Sequence, residues 1–170
     1  MDVTIDVTLW SAIHKHLNDP LERALFLFVR QTDPGGLTWE AADSWFLTSE
    51  SDYQSVSGEH LALADHIPGE AIKRAHDSET ALLEIHGHYG PGQHTRFSAY
   101  DIEGLSALVP HVLWRLPGRP YFALVVGRDS VDGLVWLHPR DVSTIGQLHI
   151  GHLSISMTGQ SERLYSSFLE

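Results

Sequence analysis

His86 and His88 end the apolar run Thr80-Ala-Leu-Leu-Glu-Ile85, and a spacing of two on a strand sends both imidazoles out of one face. Same-face Cβ atoms lie roughly 6–7 Å apart, so both rings can converge on one ion at about 2.0–2.1 Å each. Gly87 between them leaves the opposite face bare for close backbone approach. After a turn-forming stretch with Gly90, Pro91 and Gly92, Ser98-Ala-Tyr-Asp101 opens a segment of helical periodicity. Ser98 sits at the N-cap and Asp101 in the first turn. Two imidazoles from a strand end and a carboxylate from the next helix make three zinc ligands, and a catalytic zinc site leaves its fourth position to water. Ser98-x-x-Asp101 alone is explained by capping, but a capped helix start also holds a carboxylate rigidly.

The order and intervals of His86-x-His88 and Ser98-x-x-Asp101 resemble the JAMM motif of the JAB/MPN metalloproteases, with a slightly longer joining loop. That family includes zinc isopeptidases that remove ubiquitin or ubiquitin-like proteins. The resemblance implies a glutamate far upstream at the start of a strand, and Glu22, ahead of Ala24-Leu-Phe-Leu-Phe-Val29, stands there. Leu25 and Val29 occupy places where the family often has glycines. The implied roles are one zinc on His86, His88 and Asp101, Glu22 as general base and then acid, and Ser98 as oxyanion donor. The implied substrate is a ubiquitin-like protein or its conjugate, in a bacterial system with its own activating and conjugating enzymes, as used in phage defence. Other readings are a zinc amidase acting on a sulfur-carrier fusion or a small amide, a non-catalytic MPN scaffold, and a histidine-rich domain without metal.

Spacing does not choose the base. Glu84 should share a face with His86, and Glu40 lies on the neighbouring strand, where it reads as a solvated residue. His94 is a loop residue able to serve as ligand, substrate contact or plain surface. Asp65 with His66 could also bind metal. His14 and His16 do not share a helix face and read as solvated. His149-Ile-Gly-His152 spells an adenylate-binding signature, but too little chain follows it for that fold.

The chain has 170 residues, 42% hydrophobic, which suits a single domain over 1–170. With no cysteine, any metal must rest on His and carboxylates. A net charge of −11 without a basic cluster excludes nucleic acid as an expected partner and favours a basic surface or tail. No apolar run approaches the roughly 18–20 residues of a membrane span, and the acidic, alternating N-terminus is no signal peptide. A cytoplasmic protein without a membrane partner is the expectation.

The patterning predicts a strand at 2–8, a helix at 8–18, and an antiparallel pair at 24–29 and 37–48 around the 31–36 turn. A polar loop at 49–58, a short strand at 60–64 and a helix at 68–76 lead to the strand bearing His86. The helix from Tyr100 should stop near Pro110, with 111–116 irregular or extended. A hairpin at 121–126 and 133–137 around 128–132, one or two closing strands within 145–157, and a short amphipathic or frayed end from Gly159 complete the reading. The fold class is α/β (α+β), a mixed, mostly antiparallel sheet flanked by helices; the resemblance implies the MPN/JAB, cytidine-deaminase-like architecture.

Overall fold

The alternating N-terminal segment forms a strand, but a shorter one than its pattern predicts. In the computed structural model, which describes residues 1–90 and 94–169, β1 spans Asp2–Ile5 and α1 spans Val7–Leu17. Asp6 divides them: its carboxylate accepts the N–H groups of Thr8 and Leu9, turning the chain into the helix. β2 (Ala24–Gln31) and β3 (Thr38–Phe46) are the expected antiparallel pair. The segment expected as a loop holds a 3₁₀ turn (Glu50–Asp52) and β4 (Tyr53–Val56), which pairs with β5 (Leu61–Leu63). Tyr53 anchors that hairpin, donating its hydroxyl to Leu47 O at 2.8 Å while accepting Ala24 N–H at 3.1 Å. α2 (His66–Asp77) and β6 (Ala81–Gly87) follow.

α3 (Ala99–Arg115) runs through Pro110 rather than stopping there. A proline in a helix interior costs about 3 kcal/mol or more. Burial of Leu105, Val109, Val112 and Leu116 outweighs it, because these residues fill one core only if the helix continues. β7 (Tyr121–Val126) and β8 (Val131–His138) form the expected hairpin, and β9 (Asp141–Thr144) adds a strand. β10 (Gln147–Ile150) and β11 (Leu153–Ser156) turn at Gly151, whose φ of 57° is in the left-handed region. Of the two readings of the end, amphipathic or frayed, the chain takes the first, forming α4 (Gln160–Leu169).

Nine strands make one sheet in the order β11-β10-β1-β3-β2-β6-β7-β8-β9. β1 lies parallel to β10 and β3, and β6 parallel to β7; the other neighbours are antiparallel. The sheet is therefore mixed and mostly antiparallel. It curls, so that Thr158, just past β11, donates its N–H to Val131 O of β8. One face carries Phe26, Leu82, Tyr121 and Trp136 against α2, α3 and α4; the other carries Leu25, Leu83 and Leu124 against α1 and the curled edge. Among the described residues no helix is long and apolar enough to cross a membrane.

Candidate metal centre

The β2–β6 register sets the site. Ala24 lies opposite His86, and extending the antiparallel pairing by two residues puts Glu22 opposite His88. Glu22 lies just ahead of β2 and is buried, its N–H donating to Ser57 O in the β4–β5 turn at 2.8 Å. On the far face of Gly87, a Cβ would sit 3.0 Å from Leu17 Cβ and 3.3 Å from Leu17 O, so α1 makes the expected close approach.

Ser98 caps α3 as its sequence predicts. Its Oγ accepts Asp101 N–H at 3.2 Å, and Asp101 Oδ2 accepts Ser98 N–H at 2.7 Å. That box aims the Asp101 carboxylate at the strand end: Oδ2 is 3.5 Å from His86 Nε2 and 3.6 Å from His88 Nε2. One donor atom from each of His86, His88 and Asp101 lies within 4.8 Å of the others. Glu22 Oε1 is 3.7 Å from His88 Nε2. All four side chains are nearly out of solvent.

Two features fit a metal. His86 Nε2 is buried and makes no hydrogen bond of good geometry, facing Asp101 Oδ2 at 3.5 Å across the space where an ion would sit. His88 Nδ1 lies 3.0 Å from His94 O. A carbonyl only accepts, so Nδ1 carries the proton and Nε2 presents its lone pair to the site. The donor set of two nitrogens and one oxygen suits zinc with a position left open. His94 thus enters through its backbone, with an exposed side chain.

Charge in the metal-free centre follows from this packing. Burial alone would push the His86 imidazole down, but the Asp101 carboxylate outweighs it and holds His86 up at about 9. Burial works against the Asp101 charge too; His86, with Ser98, overrides it and holds the carboxyl far below the usual range. His86 is therefore protonated at pH 7 without metal and must lose that proton to ligate. Zinc uptake at pH 7 should release a proton, and affinity should rise about tenfold per pH unit before flattening near pH 9. Calorimetric titration in buffers of different ionisation enthalpy reads this directly; binding that is indifferent to pH would contradict it.

Below His86, Glu84 Oε2 accepts the Tyr121 O–H at 2.7 Å, and burial pushes the Glu84 carboxyl up. Glu84 also lines the cavity that opens on His86 and Asp101. Glu40 is exposed on β3, as expected. His14 and His16 are half-buried, contrary to their reading as solvated. His16 Nε2 lies 2.9 Å from Ala24 O and its ring meets the Phe46 edge, while His14 Nδ1 bonds with the Tyr89 hydroxyl. A short helix laid on a sheet buries more than one face. Asp65 and His66 are exposed at the start of α2, and His149 bonds with Ser154 and Asp2 beside a tight hairpin turn.

The loop between His88 and Ser98 includes Pro91 and Gly92, which with residue 93 lie outside the described residues. Its return is pinned from the C-terminal end. Phe97 is buried with its ring centroid 5.4 Å from that of His86, and its N–H donates to Ser161 Oγ at 2.9 Å. Asp132, wholly buried on β8, accepts Gly159 N–H at 2.9 Å and Ser161 N–H at 2.8 Å, capping α4. These supports were not assigned from sequence. The signal in the sequence is an acid beside the apolar run of β8, which the hairpin reading puts in the 128–132 turn. No protein-family model matches the chain, and no curated protein matches it.

Proposed function

We propose that this chain is a cytoplasmic zinc isopeptidase or peptidase of the JAB/MPN type, its sheet and helices in the MPN, cytidine-deaminase-like arrangement. It hydrolyses the amide bond after the C-terminus of a ubiquitin-like protein. One observation carries the reading: the His86, His88 and Asp101 donor atoms within 4.8 Å, around a buried Nε2 that makes no hydrogen bond of good geometry. These three residues would hold the ion. When bound, zinc lowers the pKa of a coordinated water toward neutrality and polarises a carbonyl. Glu22 takes a proton from the attacking water at a carboxylate oxygen and returns it to the leaving amine. Ser98 Oγ already accepts from Asp101 N–H, so its own proton is left to donate to the developing oxyanion.

A cavity of about 670 Å³ opens on His86 and Asp101 between β5 and α3. Among the described residues β5 pairs only with β4, leaving an edge on which an extended tail can add as a strand. Asp65, Glu84 and Glu103 line the same cavity, which favours a tail with basic side chains. Such a tail belongs to a ubiquitin-like protein or its conjugate, in a bacterial system with activating and conjugating partners.

The test is metal content beside cleavage. Wild type should carry one zinc per chain and cleave a ubiquitin-like fusion, and His88→Ala should lose both. Stoichiometric zinc without cleavage would redirect the search to another amide substrate. Protein prepared without chelators and still empty after zinc is supplied would end the metalloprotease reading.

A further inference from the structure

The cavity at the metal centre does not end at β5. A second cavity of about 560 Å³ lies between α2 and α3 and shares Pro68, Leu108 and His111 with the first. Together they form one groove along α3 from Asp101 to Arg115, about 21 Å at the helical rise. Two helical glycines line it, Gly69 in α2 and Gly104 in α3. A glycine inside a helix disfavours it relative to alanine, and is commonly explained by something packed against the bare backbone. Here a Cβ at either position would meet nothing within 4 Å. The free protein therefore supplies no packing reason for either glycine, while both open onto the groove.

The far end of the groove differs in charge from the rest of this acidic chain. The sequence has 22 acidic residues against 11 Lys and Arg, yet the second cavity is lined by Lys73, His76, His111 and Arg115 beside apolar Ile72 and Leu108. No carboxylate is among its described lining residues. Lys73 and His76 both reach Asp77, and Arg115 stacks over the Trp114 ring at 4.7 Å.

We propose that the α2–α3 groove docks an extended segment of the protein substrate, its main chain lying against Gly104 and Gly69 and an acidic side chain meeting Arg115. At roughly 3.3 Å per residue, an extended chain covers the groove in about six residues. The substrate so selected carries Asp or Glu about six residues from the scissile bond. The link to a scissile bond rests on the zinc hydrolase reading; the groove's chemistry does not.

The probe is a labelled peptide of about thirteen residues with an N-methylated central glycine amide, bearing Glu or Gln about six residues to one side or the other. Binding is read by fluorescence anisotropy on the zinc-supplied full chain. In one of the two placements the Glu peptide should bind about tenfold tighter than its Gln twin, a preference that Arg115→Glu removes. Gly69→Ala and Gly104→Ala should each raise the melting temperature by about 2–4 °C and yet weaken binding several-fold. That opposite movement separates docking from folding. Equal affinity for Glu and Gln in both placements, or alanine variants that bind like wild type, would overturn the proposal. Zinc content of the same preparation reports separately on the hydrolase: an empty site with Glu-selective binding keeps the groove and rejects the enzyme, and a full site without selectivity does the reverse.

Discussion

Glu22→Gln should lower kcat/KM on a ubiquitin-like fusion by about 100- to 10,000-fold while zinc stays bound, the usual range for a lost general base. The substitution keeps the size of a side chain that is only 5% exposed, so packing is preserved. The backbone is held independently, by Ser57 O and by the β2–β6 register. What changes is the carboxylate oxygen 3.7 Å from His88 Nε2. An amide in its place cannot take a proton from water. The Glu22 carboxylate is not one of the three clustered donors, so metal content should be unchanged. A zinc-loaded variant within about tenfold of wild type would remove Glu22 from the base role and turn attention to Glu84, which lines the cavity beside His86.

The second large effect belongs to Asp101→Asn. Asparagine can still accept Ser98 N–H, so the α3 cap survives and the loss is one of charge. Zinc affinity should fall by more than the roughly 10- to 100-fold typical of lost outer-shell partners, since a ligand itself is altered. The metal-free protein should change its pH response as well. In wild type, His86 is held up at about 9, above its unfolded value of 6.5. The pairing therefore stabilises fully below pH 6.5 and its contribution is lost as pH rises through about 9. The depressed Asp101 carboxyl sets the lower limit, its contribution being lost as pH falls below 3.8. Without Asp101, burial pulls the His86 pKa down from about 9 against the weaker upward pull of Glu84 and Glu22. Relative to wild type the variant is therefore destabilised most below about pH 6.5, where the pairing is fully present, by up to about 3–5 kcal/mol where a buried charge loses its partner, and the difference closes as pH rises through about 9. Melting curves with chelator between pH 5 and 10 distinguish the two proteins. Parallel curves would show that Asp101 does not govern His86.

The parts of the site legible in the sequence are those set by local rules. Two-residue alternation brought His86 and His88 to one face, and the Ser98-x-x-Asp101 box announced a helix start whose geometry the structure shares. Glu22 was different: spacing could not choose it over Glu84 or Glu40, and its nearness to His88 depends on the β2–β6 register, a long-range pairing. The helix through Pro110 is not legible locally, because the proline's penalty is offset only by core contacts on both sides of it. Pattern alone leaves α4 open between an amphipathic and a frayed end, because its cap, Asp132, comes from a distant strand. The 3₁₀ turn and β4 escaped for a similar reason, since their order depends on Tyr53 reaching Leu47 and Ala24. The polar face of a chain shows in its pattern; the backbone groups that finish a site, such as the carbonyls of His94 and Ser57, do not.

The bond from Phe97 N–H to Ser161 Oγ joins residues 64 apart in sequence, and Thr158 reaches Thr95 O across 63. During synthesis at about 5–20 residues per second, the ribosome makes Phe97 roughly 3–13 s before the serine that latches it. The nascent chain thus carries its histidines and aspartate without the clasp that holds their loop in place. Only when residues 158–161 have emerged can the turn into α3 be latched, so the His86, His88 and Asp101 cluster is completed from the far end of the chain.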